Sequence, residues 1–433
     1  MHRDLYQKLQ EWKASNRRKP LILQGARQVG KTYLLKEFGK NEYADLAYFN
    51  FEEDPGLKGY FQGSLLPEKL LQKLSIHRGK KIEPKTTLIF FDEIQECSQA
   101  LNSLKYFCEQ AGDYHLVSAG SLLGVQLGHQ QSFPVGKVNF LHLYPLNFLE
   151  FLAAQGKPHL KNLIAGLDSF QPLDGPIHDE LTEELRFYFA IGGMPEAVAH
   201  YAVHRDLPEV RVIQKEILNA YLLDFAKHAS PSEVMKIAAV WESIPAQLAK
   251  ENKKFIFSAL KQSARAREYE TAIQWLVNAG LALKVRNVSK PNLPLASYAD
   301  PGAFKLYGLD VGLLAAMSQL VPQTILQGDR LFTEFKGALT ENYVAQELTA
   351  RHDQALYHWT SPGTAEVDFL LEHEGEIFPL EVKAGMSHKT RSLRVYGDTY
   401  HPKILSRTSM MNLKQDGGII NYPLYAVARF PKK

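Results

Sequence analysis

The sequence predicts an α/β chain: a doubly wound parallel-sheet P-loop domain first, a mostly helical middle next, and an α+β domain last. Three observations carry this. A complete G-x-x-x-x-G-K-T phosphate loop, Gly25-Ala26-Arg27-Gln28-Val29-Gly30-Lys31-Thr32, stands between the apolar run Leu21-Ile22-Leu23 and a segment of helical spacing. About 60 residues on, the all-apolar run Leu88–Phe91 ends in the acid pair Asp92-Glu93. In the last third, a strand pattern carrying Asp368 turns back into one carrying Glu381-Val382-Lys383.

Residues 3–19 have amphipathic helical spacing (Leu5, Leu9, Trp12) and end in the basic cluster Arg17-Arg18-Lys19 ahead of Pro20. Leu21–Gln24 reads as a short buried strand, and Thr32–Gly39 as a helix closed by a glycine stop. Between them, Gly25 and Gly30 let the backbone turn and approach an anion, so that N–H groups of the loop and helix start point at phosphate. Lys31 is placed to reach the β- and γ-phosphates and Thr32 to offer its hydroxyl to Mg²⁺, which makes ATP with Mg²⁺ the expected cofactor pair. Ala44–Phe51 reads as the next strand and Pro67–His77 as a helix with Leu66, Leu70, Leu71 and Leu74 inward.

An all-apolar strand such as Leu88–Phe91 belongs in a parallel sheet covered on both faces, and ligands bind at the carboxyl ends of such strands. There Asp92 can hold Mg²⁺ and Glu93 can polarise the attacking water. His115–Ser121 and Lys137–Leu146 add two strands, giving five with helices between them over residues 1–155. Ser121, at the end of the fourth strand, is placed to sense the γ-phosphate or orient water, and a plain turn serine fits the same position.

Residues 156–230 are helical in pattern, broken and restarted at Gly192-Gly193-Met194-Pro195-Glu196-Ala197. His204-Arg205-Asp206-Leu207 opens like a kinase catalytic loop, but the downstream Asn and the kinase glycine-rich loop are missing, which excludes a kinase. Residues 231–320 read as short helices, then Gly280 and the alternating run Leu281–Arg286, a pattern that resembles a winged helix-turn-helix with Ala266–Ala279 as recognition helix. Between residues 250 and 290 nine basic side chains stand against Glu251, Glu268 and Glu270, a local excess that points to nucleic-acid phosphates and to DNA as a partner. Winged helices also dock proteins, and Glu268 and Glu270 face phosphates poorly, so a protein partner stays open.

In residues 321–433, Glu341 lies in a helical pattern with Leu339, Tyr343, Val344 and Leu348, ahead of the strand Leu356–Trp359. A hairpin comes next: Glu366–Leu371, the turn His373–Glu376, then Ile377–Ala384. Strand alternation puts Glu381 and Lys383 on one face and Val382 on the other, and the hairpin brings Asp368 beside them. Two carboxylates and a lysine, with Glu341 as third carboxylate, can bind a second Mg²⁺ or Mn²⁺ and activate water for phosphodiester hydrolysis.

Composition narrows the classes. The 433 residues allow two or three domains with full cores, 45% hydrophobic and 22% charged residues are ordinary for a soluble chain, and a net charge of +3 is too small to argue for nucleic acid unless the basic surface is local. Cys97 and Cys108 cannot build a disulfide framework and no Cys/His cluster suggests zinc. No run of about 18 apolar residues appears and the first residues lack an apolar signal core, so the expectation is a cytoplasmic protein with no membrane partner. A homo-oligomer is compatible with all of this.

The phosphate loop, Asp92-Glu93, Ala119-Gly120-Ser121 and Tyr144-Pro145-Leu146-Asn147-Phe148-Leu149-Glu150-Phe151 resemble a prokaryotic family of AAA-type ATPases in which a C-terminal domain of unknown function succeeds the ATPase. The Gly-Gly-Met-Pro-Glu piece belongs to the likeness. The resemblance implies an AAA-type ATPase core over 1–155, completed by 156–230. Members carry Gly-Arg before the fifth strand where this chain has Gly136-Lys137. If that position is a sensor or charge-stabilising finger, Lys137 keeps the charge and loses the bidentate fork. The last domain resembles the PD-(D/E)xK nucleases, which implies a restriction-endonuclease-like α+β fold. Asp368, Glu381 and Lys383 match the motif, Glu341 matches the helical acid, and Val367 stands where the pattern has Pro. Three functions are compatible with these parts: an active nuclease, a nucleotide-switched module that only grips nucleic acid, and a signalling or scaffold ATPase with a protein partner.

Overall fold

Five parallel strands form where apolar runs alternate with amphipathic helices. In the computed structural model, which describes residues 1–121, 136–167, 171–250, 253–327, 333–386 and 390–431, these are β1 Leu21–Gln24, β2 Asp45–Asn50, β3 Thr87–Asp92, β4 His115–Ala119 and β5 Asn139–His142. Their order is β2-β3-β4-β1-β5, every neighbour parallel. Parallel neighbours need crossovers. Here α1 Leu5–Ala14 leads in, α2 Lys31–Glu42 joins β1 to β2, α3 Leu57–Tyr60 and α4 Pro67–Arg78 join β2 to β3, and α5 Ser98–Gln110 joins β3 to β4. Because β3, β4 and β1 are adjacent, the segments that leave them emerge at one edge. β3 and β4 are buried throughout, and Phe49, Phe51, Phe61 and Phe91 meet edge to face beneath them. Three expectations shift: α2 runs through Gly39 to Glu42, α1 ends at Ala14, before the cluster Arg17–Lys19, and Leu66, at the cap ahead of α4, is exposed rather than inward.

The chain divides into two compact units, Met1–Tyr144 with Asn278–Gly280, and Pro145–Val277 with Leu281–Lys433. The first unit ends at Tyr144, short of the expected 155, because the next residues bond within the second. Leu146 N–H donates to the Gly193 carbonyl (2.7 Å) and the Tyr188 hydroxyl donates to the Leu146 carbonyl. A Cβ on Gly193 would lie 2.0 Å from the Leu146 oxygen, so only glycine admits this approach. Asp310 accepts from the N–H groups of Gly193 (2.6 Å) and Leu313 (2.9 Å). Burial raises its carboxyl to about 6 against those bonds. The Gly-Gly-Met-Pro-Glu piece is thus a packed helix junction, as its Pro195 predicts.

The second unit holds α6 Phe148–Ala154, α7 Pro158–Ala165, α8 Gly175–Ile191, α9 Pro195–His204, α10 Leu207–His228, α11 Pro231–Leu248 and, up to Val277, α12 Ala266–Asn278. Asn147 and Glu150 form a reciprocal capping box at the start of α6. After the hairpin β6 Ala282–Val288 and β7 Ala299–Gly308 come α13 Val311–Met317, α14 Pro322–Gln327 and α15 Thr333–His352. The chain closes with β8 Tyr357–Thr360, β9 Glu366–His373, β10 Glu376–Val382, α16 Arg391–Tyr400, β11 Leu405–Ser409, β12 Lys414–Asp416 and β13 Ile419–Pro423. The eight strands make one mixed sheet ordered β12-β13-β11-β10-β9-β8-β6-β7. The winged-helix hairpin therefore does not stand apart from the α+β domain: β6 pairs in parallel with β8, across the expected boundary at 320. The β9–β10 turn has Glu374 and Gly375 both at positive φ, the primed turn that a two-residue hairpin loop requires. Among the described residues, no helix is long and apolar enough to cross a membrane.

Candidate functional site

The phosphate loop leaves β1 at Gly25, whose φ of +148° and close approach to the Leu143 carbonyl, 2.2 Å from where a Cβ would sit, admit only glycine. Gly30, also at positive φ, starts α2, so that Lys31 is its first residue. Lys31 is buried, and its Nζ donates to the carbonyls of Gly25 (2.9 Å) and Ala26 (2.8 Å). Arg3 braces the loop: it is buried, with Nη1 donating to the Val29 carbonyl (3.0 Å) and Nη2 to that of Tyr144 (2.5 Å).

Asp92 and Glu93 end β3 beside this loop. The Thr32 hydroxyl lies near enough to the Asp92 carboxylate to favour its charged form, so the two groups expected to share Mg²⁺ are neighbours. On the neighbouring strand, Tyr48 O–H donates to Asp92 Oδ2 (3.0 Å), and its ring carries the Lys36 ammonium at 3.8 Å. Burial pushes the Asp92 carboxyl up, and the hydroxyls of Thr32 and Tyr48 oppose this. An oxygen-rich pair of a buried carboxylate and a threonine hydroxyl at the start of a phosphate-loop helix fits Mg²⁺.

Glu93 adopts φ 48°, ψ 45°, a left-handed conformation uncommon for a residue with a Cβ. Its Oε2 accepts from the N–H and the hydroxyl of Ser121 (both 3.3 Å) and from Gln95 Nε2 (2.5 Å). Ser121 is thus placed on the glutamate by the adjacency of β3 and β4. Lys137 is not brought to this group by any described contact; it pairs with Glu109 at 2.9 Å on a partly exposed surface.

The C-terminal cluster is built differently. Asp368 on β9 and Glu381 on β10 lie side by side as the hairpin predicts, with Val382 N–H donating to Asp368 Oδ2 (2.8 Å). Lys383 Nζ holds Glu381 Oε1 at 2.8 Å. Glu341, from α15, gives Oε1 to the Lys253 ammonium and accepts at Oε2 from the Tyr307 hydroxyl (3.1 Å). In the middle stands Lys305, on β7 and only 2% exposed. Its Nζ pairs with Glu366 and lies 3.6 Å from both Glu341 Oε2 and Asp368 Oδ1. Burial works against its charge, yet Tyr307, Glu341, Asp368 and Glu366 hold it protonated well above the ordinary lysine range. Burial and the charge of Glu341 push Asp368 up to about 7, while Lys305 and Lys253 outweigh burial and hold Glu341 low.

These residues do not fit a second Mg²⁺ or Mn²⁺. Among the described residues no group of three His, Cys, Asp or Glu side chains could hold a metal. Of the oxygens of Glu341, Asp368 and Glu381, only Glu381 Oε2 is buried without a partner. Lys253 was expected among the nine basic side chains turned to nucleic acid, and the structure spends it on Glu341. Lys284 likewise packs over the Phe304 ring, whereas Lys261, Arg265 and Arg267 are exposed, beside the exposed Glu268 and Glu270. Glu251 lies outside the described residues. Sequence reasoning missed Arg3, Tyr48, Gln95 and Lys305, and gave Lys253 another role. For Tyr48 a signal existed, a polar-tipped aromatic in the strand expected beside Asp92; for Lys305 there was none.

Three segments match known families. Residues 17–152 match the family described as an AAA domain, residues 182–324 a domain of unknown function (DUF8612), and residues 336–427 a domain of unknown function (DUF4143). No curated protein matches the chain. Among solved structures, the Walker-type ATPase PABY2304 of Pyrococcus abyssi aligns at 13% identity and TM-score 0.44, over 72% of this chain and 94% of that one. The Aeropyrum pernix ORC1 protein in complex with DNA aligns at 12% and 0.29, over 73% and 90%. Drosophila ORC bound to DNA aligns at 16% and 0.29, over 72% and 93%.

Proposed function

We propose that this chain, which carries an AAA-type P-loop ATPase domain over residues 17–152, hydrolyses ATP and couples the nucleotide state to a nuclease-like C-terminal domain that binds without cleaving. The observation behind the first half is the meeting of Thr32, Asp92, Glu93 and Ser121, drawn from the ends of three adjacent strands. N–H groups of the loop cradle the phosphates, and Lys31 exchanges the Gly25 and Ala26 carbonyls for phosphate oxygens. Thr32 and Asp92 would hold Mg²⁺, with Tyr48 fixing the carboxylate, and the ion would supply charge neutralisation at the phosphates. Glu93, steered by Ser121 and Gln95, orients and polarises the attacking water. No described contact brings Lys137 to this group.

The nucleic-acid half rests on less. Lys261, Arg265 and Arg267 offer phosphates an exposed basic edge, and binding there should weaken steeply with salt. The alternative, a signalling or scaffold ATPase with a protein on the same surface, predicts no nucleic-acid affinity. The non-cleaving character of the C-terminal domain is favoured in both cases by the ammonium groups paired with its carboxylates.

Phosphate release from ATP and a gel-shift assay with labelled single- and double-stranded DNA and RNA, with and without ATP, test this together. The expected result is Mg²⁺-dependent turnover lost in Lys31→Ala, and salt-sensitive retardation without cleavage. No turnover by the wild type would sink the ATPase half, and no retardation at low salt would leave the scaffold reading.

A further inference from the structure

The C-terminal cluster has the acids of a metal-dependent nuclease and lacks the geometry. We propose that Lys305 is its resident cation, standing among Glu341, Glu366 and Asp368 where a divalent metal would stand, so that the cluster takes no metal and cleaves no phosphodiester. The inference rests on the reading of the C-terminal domain as a non-cleaving module and is independent of ATP hydrolysis.

Two lines of geometry carry it. Lys305 and Tyr307 alternate with Leu306 on β7, so both polar side chains point the same way, and both are buried. A buried ammonium is costly unless carboxylates compensate it. Lys305 has three around it, from α15 and β9, and no other described cation is so enclosed by acids in this unit. The ammonium is therefore what makes burial of these acids tolerable. The second line is the use of oxygens. Mg²⁺ asks for a near-octahedral oxygen shell at about 2.0–2.1 Å. Here Lys253 and Tyr307 occupy Glu341, Val382 N–H and Lys305 occupy Asp368, and Lys383 occupies Glu381 Oε1. A dication beside Glu381 Oε2 would meet nearby ammonium groups that repel it. Lys305 joins β7 to β9 and α15, so the cluster serves as a polar clasp within the sheet.

The test is Mn²⁺ binding to the full chain without nucleotide, read as free Mn²⁺ by electron paramagnetic resonance, with cleavage of labelled DNA and RNA in the same samples. The variants are Asp368→Asn, Lys305→Met, which keeps the side-chain length, and the double variant. The wild type should show no Mn²⁺ binding that Asp368→Asn removes, and no Asp368-dependent cleavage. Lys305→Met should gain one site, about tenfold or more tighter than anything in the wild type, and the double variant should lose it. Asp368-dependent cleavage by the wild type would overturn both the non-cleaving reading and the role of Lys305. A wild type that does not cleave, with a folded Lys305→Met that gains no Mn²⁺ site, would overturn the role of Lys305 alone. Circular dichroism reports folding, and if Lys305→Met unfolds, Mn²⁺ binding by the wild type against Asp368→Asn decides.

Discussion

At the ends of β3 and β4 the carboxylates of Asp92 and Glu93 face hydroxyl, amide and N–H donors, whereas in the C-terminal cluster those of Glu341, Glu366 and Asp368 face ammonium groups. Neutral donors orient a carboxylate and leave its charge to attract a metal. An ammonium neutralises the charge and takes the place. The residue types that suggest chemistry are the same in both regions. What separates the two groups of carboxylates is the counter-charge, and that comes from residues far away in sequence.

The contrast breaks most visibly in stability. Lys305→Ala leaves buried carboxylates uncompensated and is expected to cost about 3–5 kcal/mol, whereas Lys403→Ala, at the exposed pair with Glu376, should cost at most about 1 kcal/mol; urea midpoints compare the two. In the nucleotide site the expected loss is functional: Lys31→Ala should weaken ATP binding by about 100-fold or more in a fluorescent-nucleotide titration, and Lys383→Ala should leave it unchanged.

Acid separates the two units by sign. His115 in the first unit is buried, with the Tyr43 hydroxyl 2.7 Å from Nδ1, and burial, then Arg18 and Lys13, push it down to about 4. Between about pH 6.5 and 4 the unfolded chain takes up a proton there that the folded one refuses, so stability falls as pH drops through this window, by on the order of 1–3 kcal/mol. His115→Gln should flatten that slope in urea midpoints measured against pH. Asp310 in the second unit, raised to about 6, acts in the opposite sense: its contribution is full below about pH 4 and declines as pH rises through 6. The smallest effect is expected of Tyr48→Phe. Losing one hydroxyl on Asp92 should raise the Mg²⁺ concentration needed for half-maximal turnover a fewfold, about 1 kcal/mol.

The geometry of the phosphate loop and of the acid pair beside it was largely legible in the sequence because their parts are local. Gly25–Thr32 specify their own loop, and Leu88–Glu93 specify a buried strand with acids at its end. Ser121 reached Glu93 by strand order, which the alternation of strands and helices predicts. The hairpin of Asp368 and Glu381 was legible for the same local reason, through its turn at Glu374-Gly375. Lys305 was not, because nothing in the alternation of β7 says that its side chain meets a helix and a strand formed much later in the chain. Lys253 read as one more basic side chain for phosphates, since charge counting cannot tell an exposed lysine from one spent on a buried carboxylate. Arg3 and Tyr48 were missed alike: their partners, Val29 and Asp92, are set by tertiary contact.

ATP turnover by Glu93→Gln, measured beside ATP binding by the same variant, tests the role of the nucleotide site most directly. ATP should bind as in the wild type while turnover falls by about 10²- to 10⁴-fold, since the amide keeps the contacts of the side chain and loses the carboxylate that polarises water. Turnover at the wild-type rate would contradict the assignment of Glu93 as the base at the end of β3.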